Sequence, residues 1–170
     1  MYKGTGASPG IALGKALVIE HSELVIEKKT IENIDEEIQK LESAVKVSKE
    51  ELTKVKEKAL AELGEHEAEI FEAHLLVLED PELIGSAISK IRDEKVNADY
   101  ALNEIKEMFV AMFESMDNEY MRERAADIKD VTNRVLRHIL GIKVVDLAGL
   151  DEEVVLIAHD LTPSRSEERR

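Results

Sequence analysis

The sequence predicts a mainly α protein with an α/β part: a four-helix, two-hairpin bundle inserted into an incomplete α/β unit. Three observations predict it. Residues 11–19 alternate with a period of two, residues 31–140 carry apolar side chains at spacings of three and four, and Val154-Val155-Leu156-Ile157-Ala158 is an unbroken apolar run. Period two belongs to strands, whose side chains leave on alternate faces, and spacings of three and four follow the helical turn. Strand-like ends around a helical centre imply that residues 1–30 and 142–164 pair as one unit and that residues 31–141 form a separate bundle. Two or three strands without covering helices cannot bury both faces of a sheet, so the α/β unit is expected to be incomplete.

In the first segment Ile11, Leu13, Leu17 and Ile19 share one parity, with small or polar residues mostly on the other, the pattern of a half-buried strand. Ser8-Pro9-Gly10 before it reads as a turn. A second short strand is expected around Leu24-Val25-Ile26. The helical pattern then begins. Ile31, Ile34, Ile38, Leu41, Val45, Leu52, Val55 and Ala59 form a seam interrupted by Ser48, and Gly64 is placed to end the helix.

A second helix over about Glu67 to Glu79 puts Ile70, Phe71, His74, Leu75 and Leu78 on one broad face. Asp80-Pro81-Glu82 reads as N-cap, N1 and acidic first turn, restarting the helix after a bend, with Ile84, Ile88 and Ile91 continuing it. Asn97 is expected to cap a third helix carrying Leu102, Ile105, Phe109, Met112 and Met116. A fourth, from about Glu119 to Leu140, turns Ala125, Ile128, Val131, Val135 and Ile139 inward and stops at Gly141. The apolar run at Val154 has the pattern of a strand covered on both faces.

Composition excludes several functions. The 170 residues contain no Cys, so no disulfide framework, thiol nucleophile or Cys-zinc site exists, and the chain suits a reducing cytoplasm. A net charge of −14 argues against nucleic acid as the main partner, because phosphate binding needs surplus Lys and Arg. No apolar run is long enough to span a bilayer, and the first residues lack the apolar core of a signal peptide.

No catalytic constellation is visible. His66 and His74 are eight residues apart, too far for a shared metal, and His66-Glu67-Ala68-Glu69-Ile70 places Ile where the His-Glu-x-x-His pattern requires its second His. His138 near a helix end is explained by the helix dipole, His21 lies in a polar connection, and His159 follows an apolar strand. Gly4-Thr5-Gly6 lacks the Gly-Lys-Ser/Thr ending of a phosphate loop and leads into a strand rather than a helix.

One stretch stands apart. From Glu65 to Glu82 there are seven acidic residues and no Lys or Arg, half of the net charge, with Leu76, Val77 and Leu83 falling away from the main core stripe. Exposed apolar residues ringed by one sign of charge are what a docking face for a basic partner needs. A solvated acidic helix face is the other reading of the same residues.

The motifs together carry a resemblance. Ala7-Ser8-Pro9-Gly10-Ile11-Ala12 with Gly14-Lys15-Ala16, Ile70-Phe71-Glu72-Ala73-His74 with Leu78-Glu79-Asp80, and Glu119-Tyr120 with Glu123-Arg124-Ala125-Ala126-Asp127-Ile128-Lys129-Asp130 occur in order. Ile139-Leu140-Gly141 and Asp160-Leu161-Thr162-Pro163-Ser164 follow them. Over residues 1–164 this resembles Enzyme I of the bacterial phosphoenolpyruvate:sugar phosphotransferase system.

The resemblance implies a swivelling phosphohistidine α/β domain interrupted by a helical domain that binds the small histidine phosphocarrier HPr. It implies a docking set of Glu65, Glu72, His74, Leu76, Val77, Glu82, Leu83, Phe113, Met121 and Arg124. His66 stands where relatives often carry an acid, and Val77 where they often carry a larger aliphatic residue. The family's phosphorylated histidine lies in a Gly-Gly-x-x-Ser-His-like segment downstream of the Asp-Leu-Thr-Pro-Ser motif. None of the five histidines here has those neighbours, so no catalytic role carries over. Phosphoenolpyruvate, Mg²⁺ and dimerisation belong to the family's C-terminal domain, so this chain is expected to need no cofactor of its own. Residues 165–170 do not match the family and are expected to be a non-native tail. The chain is expected to bind HPr and transfer nothing. Two other classes compete: a stand-alone helical coiled-coil interaction module, and a fragment of a related phosphoenolpyruvate-using dikinase or synthase, which is not expected to carry the helical insertion.

Overall fold

The structure is a computed structural model that describes residues 9–19, 24–62, 64–142 and 153–158, and of Glu67 the backbone alone. The turn at Ser8, the histidines His21 and His159, the motif at residues 160–164 and the tail at 165–170 lie outside the described residues.

Strand β1 (Lys15–Ile19) pairs in parallel with β2 (Val154–Ala158), from Lys15 opposite Val154 to Ile19 opposite Ala158. The first and last segments therefore meet, as the insertion reading requires. β1 is shorter than its pattern: Ile11 and Leu13 precede it and are exposed, as are Val18 and Ile157, so the strands are not covered on both faces.

Between them lie α1 (Ile34–Glu62), α2 (Glu65–Glu79), α3 (Pro81–Glu94), α4 (Ala98–Glu114) and α5 (Glu119–Ile139). α2 and α3 form one limb bent at Asp80-Pro81. Against α1 this limb makes the first hairpin, and α4 with α5 makes the second. The fold is thus mainly helical, two hairpins beside a small parallel sheet, as predicted.

Each terminus has a local cause. The Asn33 side chain accepts from Glu36 N–H at 3.2 Å, opening α1 before its acidic first turn. Gly64, at φ 112°, links α1 to α2 in a backbone conformation that L side chains rarely adopt. Asp80 accepts from Glu82 N–H at 2.8 Å with Pro81 at N1. Asn118 accepts from Tyr120 N–H at 3.0 Å and opens α5. At the other end Ile142 N–H donates to Arg137 C=O at 2.9 Å across Gly141, at φ 65°, a Schellman closure.

Several expectations change. Residues 24–29 are extended but form no strand. Leu24 and Ile26 pack on the helical core, and Thr30 makes an isolated antiparallel bridge with Val96, so α1 begins at Ile34 rather than Ile31. Asn97 sits at the N-cap of α4 yet its side chain does not cap. Its Nδ2 donates to Glu27 C=O at 2.9 Å and its Oδ1 accepts from Lys29 N–H at 2.7 Å, clasping the incoming segment. The cap comes from α1 instead, where Glu37 Oε2 accepts from Ala98 N–H at 2.8 Å. Met112, Met116 and Ile70, expected inward, are exposed. Leu83, expected to fall away from the core, is 1% exposed inside it, with Leu41, Leu52, Phe71, Ile91, Leu102 and Leu136.

Candidate protein-docking face

The acidic stretch comprises α2 and the first turn of α3. α2 runs along α1, and the charge legible in the sequence is partly answered there. Lys56 Nζ lies 3.3 Å from Glu72 and Lys49 Nζ 3.8 Å from Glu79, both carboxylates remaining largely exposed. Such pairs contribute about 0–1 kcal/mol and separate readily. Glu65 and Glu82 are exposed, and Asp80 faces the amide of Glu82. Leu76 is 59% exposed among these acids.

Val77, one residue on, is turned toward α4 and α5. It packs half-buried on a small cluster of Val110, Ala125 and Ile128, which Phe113 also joins. α2, the end of α4 and the start of α5 thereby meet at one junction. Met121 and Arg124, both half-buried, lie on the first turns of α5 beside it.

His74 is 1% exposed and meets Phe71 edge-on, their ring centroids 6.1 Å apart. Its Nε2 lies 3.3 Å from Asp127 Oδ1 on α5, while Nδ1 has no hydrogen-bond partner among the described residues. With its proton on Nε2, His74 donates to Asp127. Asp127 Oδ2 is 3.7 Å from Arg124 Nη1. Arg124 in turn donates from Nε and Nη2 to the Tyr120 hydroxyl, at 3.2 and 2.6 Å.

Of the ten residues singled out, Glu65, Glu72, Leu76 and Glu82 are exposed, and Val77, Phe113, Met121 and Arg124 are half-buried. His74 and Leu83 are buried, so in the free chain they support the face from beneath. Tyr120 and Asp127 were not singled out, although the spacings from Tyr120 to Arg124 and from Arg124 to Asp127 are those of helical neighbours.

The other two described histidines, His138 and His66, find ordinary partners. His138 Nε2 lies 3.0 Å from Glu51, which Arg134 also reaches at 3.0 Å, and His66 lies 3.7 Å from Glu69.

Comparison with known proteins decides the family. The profile described as "PEP-utilising enzyme, N-terminal" matches residues 3–124. The chain belongs to this family.

Within it the curated relatives are phosphoenolpyruvate-protein phosphotransferases. That of Priestia megaterium is 56% identical over 162 residues, and that of Bacillus subtilis 54% identical over 162. In both cases the match covers 95% of this chain but 28% of the relative, so the chain spans little more than a quarter of their length. A solution NMR structure of an Enzyme I protein matches with a TM-score of 0.89 at 48% identity, covering 99% of this chain and 68% of that one. The N-terminal domain of the nitrogen Enzyme 1 shares the fold, with a TM-score of 0.73 at 21% identity over 95% of this chain and 66% of that one. The chain is an N-terminal Enzyme I region of the phosphotransferase type.

The relatives' chemistry raises the question of Mg²⁺. Among the described residues no group of three or more His, Cys, Asp or Glu is placed to hold a metal ion. No helix among them is long and apolar enough to cross a membrane.

Proposed function

We propose that this chain docks the histidine phosphocarrier HPr on the face made by α2, the first turn of α3 and the start of α5. On this reading residues 31–141 are the docking unit, and residues 1–30 and 142–164 form one α/β unit. The parent phosphotransferase would pass a phosphoryl group from phosphoenolpyruvate, through a histidine of its own, to the docked carrier. One observation carries the proposal: Leu76 stands 59% exposed within a stretch of seven acidic residues and no Lys or Arg, next in the chain to Val77 at the α2–α4–α5 junction.

Two physical roles follow. The acids attract a basic partner over about 10 Å, a Debye length at ordinary ionic strength, and so raise the association rate. Displacing Lys49 and Lys56 from their exposed pairs costs little, so Glu79 and Glu72 are available to a partner's cations. The apolar centre at Leu76, Val77 and Met121 then governs dissociation. Phosphoryl transfer between two histidines needs their nitrogens nearly in line and little covalent help, so docking supplies what the reaction requires. None of the five histidines of this chain has the donor's sequence neighbours; His74, buried beneath the face, has its Nε2 engaged by Asp127.

The test is a titration of unlabelled HPr into the ¹⁵N-labelled chain, followed by phosphoenolpyruvate and Mg²⁺. Shifts concentrated at residues 65–83 and 113–124, with no phosphohistidine in the second step, are the expected result. Absence of shifts at millimolar HPr, or shifts confined to the opposite end of the bundle, overturns the reading.

A further inference from the structure

The docking face is acidic, yet it carries an arginine, Arg124, that Tyr120 and Asp127 both contact. Arg124 is 30% exposed on α5. Its guanidinium lies 5.1 Å from the Tyr120 ring centroid, donates twice to the Tyr120 hydroxyl, and is flanked by Asp127 at 3.7 Å. Asp127 is itself restrained from behind by His74, which is buried and anchored edge-on to Phe71.

A free arginine samples many rotamers, and ordering it on docking weakens binding by about three- to tenfold. Here much of that ordering precedes the partner. Of the five N–H groups of a guanidinium, two donate to Tyr120 and one faces Asp127, leaving two to meet oxygen acceptors elsewhere.

We propose that Tyr120 and Asp127 are positioning residues that pre-orient Arg124 toward an oxygen acceptor of the docked partner, with His74 holding Asp127. The inference rests on the docking reading above and adds to it a fixed cation within a field of acids. A basic partner that lacks an acceptor opposite Arg124 would cover those two N–H groups and leave them unpaired. Arg124 therefore serves selection between basic partners, while the acids serve attraction.

The exposure of Tyr120, 54%, makes Tyr120→Phe a clean perturbation, since the ring stays and only the hydroxyl goes. In the free chain the Arg124 Nε–H resonance should exchange slowly with solvent and lose that protection in Tyr120→Phe. In HPr titrations Tyr120→Phe should weaken binding about threefold and Arg124→Ala about tenfold. The decisive measurement is the double variant. If Tyr120 acts through Arg124, Tyr120→Phe changes nothing further once Arg124 is Ala. A general structural role would instead give the same loss in both backgrounds, and that additive result overturns the proposal while leaving docking intact. An unprotected Arg124 Nε–H overturns it without any partner. Failure of the unaltered chain to bind HPr overturns the docking reading and this inference together.

Discussion

Leu76→Asp and Leu83→Asp differ by seven positions and should fail in different ways. Leu76 is 59% exposed in the free chain, so about six-tenths of its side chain remains to be covered on docking. Complete burial of a leucine side chain is worth about 1.5–3 kcal/mol, which leaves about 1–2 kcal/mol available from Leu76. An aspartate there would also be desolvated among like charges, a penalty of about 1–3 kcal/mol. Together these predict a loss of about 2–5 kcal/mol, thirtyfold or more in Kd. The folded chain should barely notice, because an exposed substitution changes stability by about 0.5 kcal/mol or less. Leu83 is the opposite case. At 1% exposure it has no surface left to give a partner, and truncating such a leucine alone costs about 2–5 kcal/mol. An unpaired buried carboxylate adds to that, against a domain stability of about 5–15 kcal/mol. Calorimetric titration with HPr should show weak binding by a stably folded Leu76→Asp. Urea denaturation should show Leu83→Asp largely or wholly unfolded. A Leu76→Asp chain that binds within threefold of the unaltered one refutes the docking assignment. A Leu83→Asp chain within 1 kcal/mol of the original stability refutes the core assignment.

Three further outcomes follow. Glu37→Ala orphans the Ala98 amide at the start of α4 and should cost about 2–3 kcal/mol in denaturant titrations, with Glu37→Gln losing about half as much; equal effects from Glu37→Ala and from the exposed Glu42→Ala would contradict the cross-helix cap. The Glu94 carboxyl is held below the ordinary glutamate range first by its hydrogen bond from Lys90 and then by that from Lys28. Its contribution to stability is therefore present above the ordinary value and lost as pH falls through the depressed one. An NMR pH titration should show the Glu94 midpoint rising in Lys90→Ala, and an unmoved midpoint would contradict the pairing. Glu82→Lys, which reverses an exposed charge on the first turn of α3, should slow HPr association at low salt and lose that effect at high salt; on-rates identical to the unaltered chain throughout a salt series would count against steering.

Periodicity made most of the architecture legible. The seam from Ile38 to Ala59, the bend at Asp80-Pro81 and the helix stop at Gly141 are local matters, decided by which side chains share a face and which residues open or end a turn. The pairing of β1 with β2 was legible for a broader reason, since two strand-like ends around a helical centre have only each other to pair with. Periodicity is silent about which neighbour covers a face. Met112 and Met116 share the spacing of Leu102 and Ile105, but at its end α4 packs Val110 and Phe113 inward instead, and Met116 lies beyond the helix, so both methionines stay in solvent. Leu83 looked like a stray apolar residue among acids and is core, because the bend turns α3 against α1 and α4.

The sequence alone thus determined the helical segments, the two strands that flank them, and an acidic stretch unsuited to nucleic acid, all properties of residues near one another in the chain. Only the tertiary structure decided that Glu37 rather than Asn97 caps α4, that Lys49 and Lys56 answer part of the acidic charge, and that His74, Asp127, Arg124 and Tyr120 form one line. Most of these contacts join residues far apart in sequence, their geometry set by how whole helices dock. A pattern of apolar spacing specifies that docking only in sum over many side chains, and never for a single polar pair.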